Sequence, residues 1–157
     1  MDLDTPVREQ LRELLEGGNA HMTFDEVVAN FPREHMNTKP PNVPYTPWHL
    51  LEHIRLAQWD ILEFIRNPHY VSPTWPEGFW PAEDAQADEA AWQKTVASLR
   101  ADLQSLLEFV ADPTVNLYAP IPHGDGQSIL REILVVSDHN AYHIGEFATL
   151  RQVMGTW

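Results

Sequence analysis

Apolar residues recur every three to four positions along four stretches of this chain, which is the pattern of amphipathic α-helices. Strand-like alternation is nearly absent. The sequence therefore predicts an all-α protein built as a four-helix bundle. The predicted helices cover residues 3–18, 46–67, 84–113 and 128–155.

Residues that favour helix ends stand at the borders of these stretches. Thr5 is predicted to cap the first helix, which Gly17 and Gly18 end. Thr46 is predicted to cap the second helix, and Ser128 opens the fourth.

A short additional helix is predicted within residues 22–32. Thr23 and Glu26 have the spacing of a capping box, and Pro32 is expected to end this helix.

Two connections are long, residues 31–45 and 68–83. The second reads PHYVSPTWPEGFWPAE and is rich in proline and aromatic residues. A structureless loop of that length is uncommon in a compact domain. We therefore expect the aromatic part, from Tyr70 to Trp80, to pack over something and to form the wall or lid of a site.

Composition narrows the classes of function. The chain has 157 residues, 43% of them apolar, which fits a single domain over residues 1–157. A net charge of −13 argues against nucleic-acid binding and against docking on anionic lipid. The absence of cysteine excludes disulfides, thiolate ligands and a cysteine nucleophile. With neither a signal-peptide pattern nor a membrane-spanning run, we expect a cytoplasmic protein.

The stretch SDHNAYHIGE holds His139 and His143, four residues apart in the fourth predicted helix. Side chains at that spacing lie about 40° apart around the axis and roughly 6 Å along it, so two imidazoles can reach one metal ion. Phe147 and Leu150 fall on the same side of the helix, which should therefore face the interior. Two polar residues in an ordinary amphipathic helix are the alternative reading.

The second helix carries a matching pair, His49 and His53, in WHLLEH. His53 lies about 90° from the centre of the apolar arc and His49 about 130°. His53 is thus predicted at the core boundary, with His49 leaning outward. If one of the two joins the fourth-helix pair, this geometry favours His53.

Other conspicuous residues have ordinary explanations. Glu132 and Glu146 flank the histidine stripe, and such glutamates are more often solvated helix charges than ligands. We interpret His123 as a loop residue whose loop could reach one end of the bundle. Three tryptophans are expected to pack between helices: Trp48, Trp59 and Trp92. Three histidines without a pairing pattern are expected at the surface: His21, His35 and His69.

The motifs YTPWHLLEHIRLAQWDILEF and, far downstream, DHNAYHIGEFATLRQVMG resemble those of the DinB-like superfamily. This resemblance covers nearly the whole chain. It implies an up-down-down-up bundle with long crossovers, a divalent metal held by His53, His139 and His143, and a homodimer. His49 is extra to the three-histidine pattern, and it is left open whether it lies near the site, at the surface or on the metal.

Three neutral imidazoles would leave one coordination position open, the mark of a catalytic site. A zinc or nickel ion there would lower the pKa of a bound water or activate a thiol. The resemblance thus implies a metal-dependent hydrolase or a thiol S-transferase acting on a small molecule. Glu146, about one turn beyond His143, is a candidate base or orienting carboxylate.

Two alternatives remain open at this point. The first is a non-catalytic metal-binding or stress-associated bundle, which a fourth protein ligand such as His49 would favour. The second is a metal-free bundle. The scattered arginines offer no cluster for a strongly anionic cofactor: Arg55, Arg66, Arg131 and Arg151.

Overall fold

The computed structural model describes residues 4–157, and every regular element in that part of the chain is a helix. Two 3₁₀ turns interrupt the long connections, and an isolated bridge between Pro120 and Ser128 is the only β-pairing among these residues. The all-α prediction is confirmed. The helices are α1 (Asp4–Glu16), α2 (Phe24–Val28), α3 (Pro47–Arg66), α4 (Glu89–Ala111) and α5 (Ile129–Met154).

The two helices that carry the histidine pairs begin where their caps predict. Thr46 Oγ1 accepts a hydrogen bond from the backbone N–H of His49 at 3.1 Å, at the start of α3. Ser128 Oγ accepts from the N–H of Arg131 at 3.2 Å, at the start of α5. Gly155 ends α5 in a left-handed conformation with φ of 65°, which glycine adopts without strain.

The first, short and third predicted helices differ from the structure at their ends. Thr5 lies inside α1 rather than at its cap, and residue 3 of the predicted helix lies outside the described range. The capping box of Thr23 and Glu26 is present, but α2 ends at Val28, well before Pro32.

The third predicted helix starts five residues late, at Glu89 with Asp88 as its cap. The Asn37 side chain accepts from Ala87 N at 2.9 Å and donates to Ala87 O at 2.8 Å, which occupies backbone groups that a longer helix would use.

Helix α3 packs against both α4 and α5, and α1 packs across α4 and α5. One apolar cluster joins the first halves of α3 and α4 to the second half of α5, and includes Leu50, Trp92 and Phe147. A second cluster joins the opposite halves of these helices and includes Leu62 and Ile133. This packing brings the start of α3 alongside the middle of α5, where the histidines lie.

None of the helices within residues 4–157 has both the length and the hydrophobicity needed to cross a membrane.

Candidate metal centre

Three imidazole rings meet between α3 and α5. His53 Nε2 lies 3.2 Å from His143 Nε2 and 3.2 Å from His139 Nε2. Zinc–nitrogen bonds of 2.0–2.1 Å in a tetrahedral site place two ligand nitrogens about 3.3 Å apart. The observed distances match this value, so the nitrogens are spaced as ligands of one metal ion. Within residues 4–157 the group that could hold an ion consists of these three histidines.

The outer nitrogen of His53 is held by the aromatic connection. His53 Nδ1 donates to the carbonyl oxygen of Phe79 at 2.8 Å, because a carbonyl can only accept. The Trp80 ring stacks on the imidazole at 4.0 Å with an interplanar angle of 5°. Burial lowers the pKa of His53, so the ring is neutral and its Nε2 carries a lone pair directed at the other histidines.

A carboxylate holds the outer nitrogen of His143. His143 Nδ1 donates to Glu146 Oε2 at 2.6 Å, and the other carboxylate oxygen accepts from the Tyr45 hydroxyl. Burial alone would raise the pKa of Glu146, but the hydrogen bonds from His143 and Tyr45 lower it below its usual value. Both carboxylate oxygens are therefore engaged, and Glu146 orients the imidazole, as carboxylates commonly do beside metal-binding histidines.

His139 is the third ring, and its outer nitrogen, Nδ1, is buried without a hydrogen-bond partner. Burial lowers the pKa of His139 to about 4, and the neighbouring His143 and His53 add to the effect. This ring too is neutral near pH 7.

These contacts make a divalent cation a good fit to the group. The Nδ1 atoms of His53 and His143 bond Phe79 O and Glu146, so when both rings are neutral, as metal binding requires, their Nε2 lone pairs face each other across 3.2 Å. Two lone pairs at that distance repel, whereas a cation between them would be bound by both.

Acid should destabilise the metal-free protein through His139. The pKa of this residue falls from an ordinary 6.5 to about 4 on folding, so the unfolded chain binds more protons than the folded one between these values. Stability is then lost as pH falls from 6.5 towards 4. Allowing for partial exposure of the ring, we expect a loss of about 1–2 kcal/mol.

Urea unfolding of chelator-treated protein at about pH 7.5 and pH 5, compared with a His139→Gln variant, measures this loss. The variant should show the smaller acid loss, and equal losses in the two proteins would contradict the assignment.

A groove of about 380 Å³ opens beside Glu146 and Tyr45. The Tyr142 ring lines it and stands perpendicular to the His143 ring at 4.9 Å. The Trp75 ring is 64% exposed and lies 6.3 Å from His53. The connection that carries Trp75 therefore packs over the site, as its aromatic composition predicts.

The structure corrects the placement of two flanking residues. His49, predicted to lean outward, is buried, and its Nε2 bonds the carbonyl of Ala85 at 2.8 Å, outside the three-histidine group. The connection between α3 and α4 covers this side of α3, which a helical wheel cannot represent. Glu132, predicted to be a solvated charge, is 3% exposed and pairs with Arg131 at 2.6 Å.

The other singled-out residues lie away from the group. His123 Nε2 bonds the carbonyl of Phe64 at 2.6 Å, near the end of α3 remote from His53. His69 is exposed as predicted, whereas His21 and His35 are half-buried. The three tryptophans pack between elements, most completely Trp92 at 1% exposure.

Three residues at the site were not singled out from the sequence: Tyr45, Gln58 and Asn140. Tyr45 reaches Glu146 from a connection whose path has no periodic signal. Asn140 stands inside the motif HNAYH, and its place between the two histidines is the one sequence feature that marks it.

Comparison with known families gives one result. Residues 18–147, well over half of the chain, match a family model described as the DinB superfamily. The matched range includes all three histidines of the group. Searches against curated proteins and against solved structures returned no significant match.

Proposed function

Since this chain belongs to the DinB superfamily, we propose that it is a metal-dependent enzyme whose divalent cation is held by His53, His139 and His143. The reaction we infer is either thiol S-transfer or hydrolysis of a small molecule. The observation that carries the proposal is the convergence of three imidazoles, with His53 Nε2 at 3.2 Å from the Nε2 atoms of both His139 and His143.

An open coordination position distinguishes a catalytic from a structural site. Within the described range the group has three histidines, and His49, the candidate fourth ligand, is engaged by Ala85 O. This arrangement supports the enzyme over the non-catalytic metal-binding or stress-associated bundle.

A bound zinc or nickel ion would supply a Lewis acid that lowers the pKa of a water or thiol binding to it. Residues of the chain would orient the ligands of this ion. Phe79 O and Glu146 bind the Nδ1 atoms of His53 and His143, so that the Nε2 lone pairs face the metal position. The stacked Trp80 ring would keep water from one side of His53.

The substrate we infer is small and uncharged. The groove beside Glu146 is lined largely by apolar and aromatic residues, among them Val43, Tyr142 and Val153. The four arginines that could have bound an anionic group are engaged elsewhere. Three of them pair with glutamates and the fourth bonds backbone carbonyls: Arg55, Arg66, Arg131 and Arg151.

Cobalt substitution tests the proposal on the full chain. Protein purified without an affinity tag should hold about one equivalent of metal by plasma mass spectrometry. After exchange for Co²⁺, a small neutral thiol should bind the open position and change the visible spectrum. Screening thiols with electrophiles, and esters alone, would then separate the two reaction types.

Two results would count against the enzyme. Absence of metal even after incubation with zinc and nickel would overturn the site itself. A cobalt spectrum that no thiol or hydroxamate alters would indicate a closed site and favour the non-catalytic bundle. A single domain and a cytoplasmic location remain predictions of the sequence, and a homodimer remains an expectation from the family resemblance.

A further inference from the structure

Two side-chain amides, those of Gln58 and Asn140, connect α4 to the residue next to His139. Gln58 is 1% exposed, and its Nε2 donates to the carbonyl of Leu99 at 2.7 Å. Its Oε1 accepts from Asn140 Nδ2 at 2.8 Å. Asn140 Oδ1 and His139 Nδ1, on adjacent residues of α5, are both buried and without a partner.

The orientation of each side-chain amide follows from the hydrogen bond made by the group before it. The carbonyl of Leu99 can only accept, so the nitrogen of the Gln58 amide faces it. The Gln58 oxygen must then face Asn140, which presents its nitrogen and leaves Oδ1, an obligate acceptor, on the other side.

An acceptor on that side suits a protonated Nδ1 on His139. Buried polar atoms are rarely left unsatisfied, and these two are complementary. The Asn140 side chain lies within hydrogen-bonding range of the His139 ring, although neither atom has a bond of regular geometry.

We propose that Gln58 and Asn140 are positioning residues that hold the proton of His139 on Nδ1, so that Nε2 presents its lone pair to the metal. The carbonyl of Leu99 in α4 orients the Gln58 amide, and Gln58 in turn orients the Asn140 amide. All three imidazoles then carry their proton on Nδ1. Phe79 O accepts it from His53, Glu146 from His143, and Asn140 from His139.

A competing arrangement has Asn140 Oδ1 accept from water instead. A cavity of about 30 Å³ lined by Gln58, Asn140 and Ser137 is large enough for one water molecule. In that case the amides would stabilise the fold without acting on His139.

Two substitutions at one position separate the arrangements. Asn140→Leu removes the acceptor, whereas Asn140→Asp keeps an acceptor beside His139 but loses the donor to Gln58. We expect metal affinity, measured by competition with a chromophoric chelator, to fall about 10- to 100-fold in Asn140→Leu. Asn140→Asp should bind at least as tightly as the wild type although it is less stable to urea.

The matched control is Asn37→Leu, which removes another amide that bridges two elements, here through Ala87. It should lower stability without changing metal affinity. A fall in affinity as large as that of Asn140→Leu would show that destabilisation alone accounts for the effect, and would overturn the proposal.

Nitrogen-15 NMR of the metal-free full chain reads the tautomer directly. The wild type should carry the His139 proton on Nδ1, and in Asn140→Leu the proton should move to Nε2, which lies 3.2 Å from His53 Nε2. An unchanged tautomer with lower stability would establish the water arrangement instead.

This inference rests on the proposed function only for its affinity readout. If the wild type bound no metal, the proposed function would fail, while the tautomer measurement would still decide the role of Asn140.

Discussion

Replacing both His139 and His143 by alanine is expected to abolish metal binding while leaving the helical fold in place. The variant loses two of the three converging nitrogens, and a single imidazole holds a divalent ion weakly. The apolar face of α5, including Phe147 and Leu150, is unchanged, so circular dichroism should show the same helix content.

The loss can be measured as metal content and as stability. Metal at about 100 times its dissociation constant should stabilise the wild type against urea by about 2.7 kcal/mol and the variant not at all. A His35→Ala His69→Ala variant is the matched control, because it removes two histidines outside the group. Equal metal content in all three proteins would show that the ion binds elsewhere.

Replacing Arg151 by methionine is expected to cost about 3–5 kcal/mol of stability. The guanidinium is 3% exposed, and its Nη1 donates to the carbonyls of Val27 and Ala29, each at 2.8 Å. Its Nη2 donates to Thr156 O at 2.6 Å. Methionine fills similar space but leaves two buried carbonyls and one partly buried carbonyl without this donor, and it removes a cation from the end of α2.

Arg100→Met is the control for this change, because Arg100 forms an exposed ion pair with Asp25 at 2.7 Å. Such pairs contribute at most about 1 kcal/mol. Urea unfolding measures the loss of stability in each variant, from the shift in midpoint at an unchanged dependence of the unfolding free energy on urea concentration. A loss in Arg151→Met no larger than in Arg100→Met would contradict the role assigned to the buried guanidinium.

Helix ends were predictable where the capping side chain bonds a backbone group nearby in the sequence. Thr46 and Ser128 bond backbone N–H groups three residues away, so their effect is local and visible in the sequence. The start of α4 was not predictable, because Ala87 is held by Asn37, fifty residues earlier in the chain.

The same distinction divides the candidate site. The turn of α5 alone places His139 beside His143, and the apolar arc of α3 alone puts His53 at the core boundary. It could not place His49, whose exposure depends on a connection that folds back over α3 and bonds it through Ala85.

The sequence by itself therefore determined the helices, their apolar faces and the spacing of His139 and His143, because these follow from periodicity within single elements. Only the tertiary structure decided what orients those residues. Glu146 is engaged by Tyr45, Trp80 stacks on His53, and Asn140 is turned by Gln58. The first two contacts depend on the paths of irregular connections, and the third on the packing of α3 against α5, neither of which leaves a periodic trace in the chain.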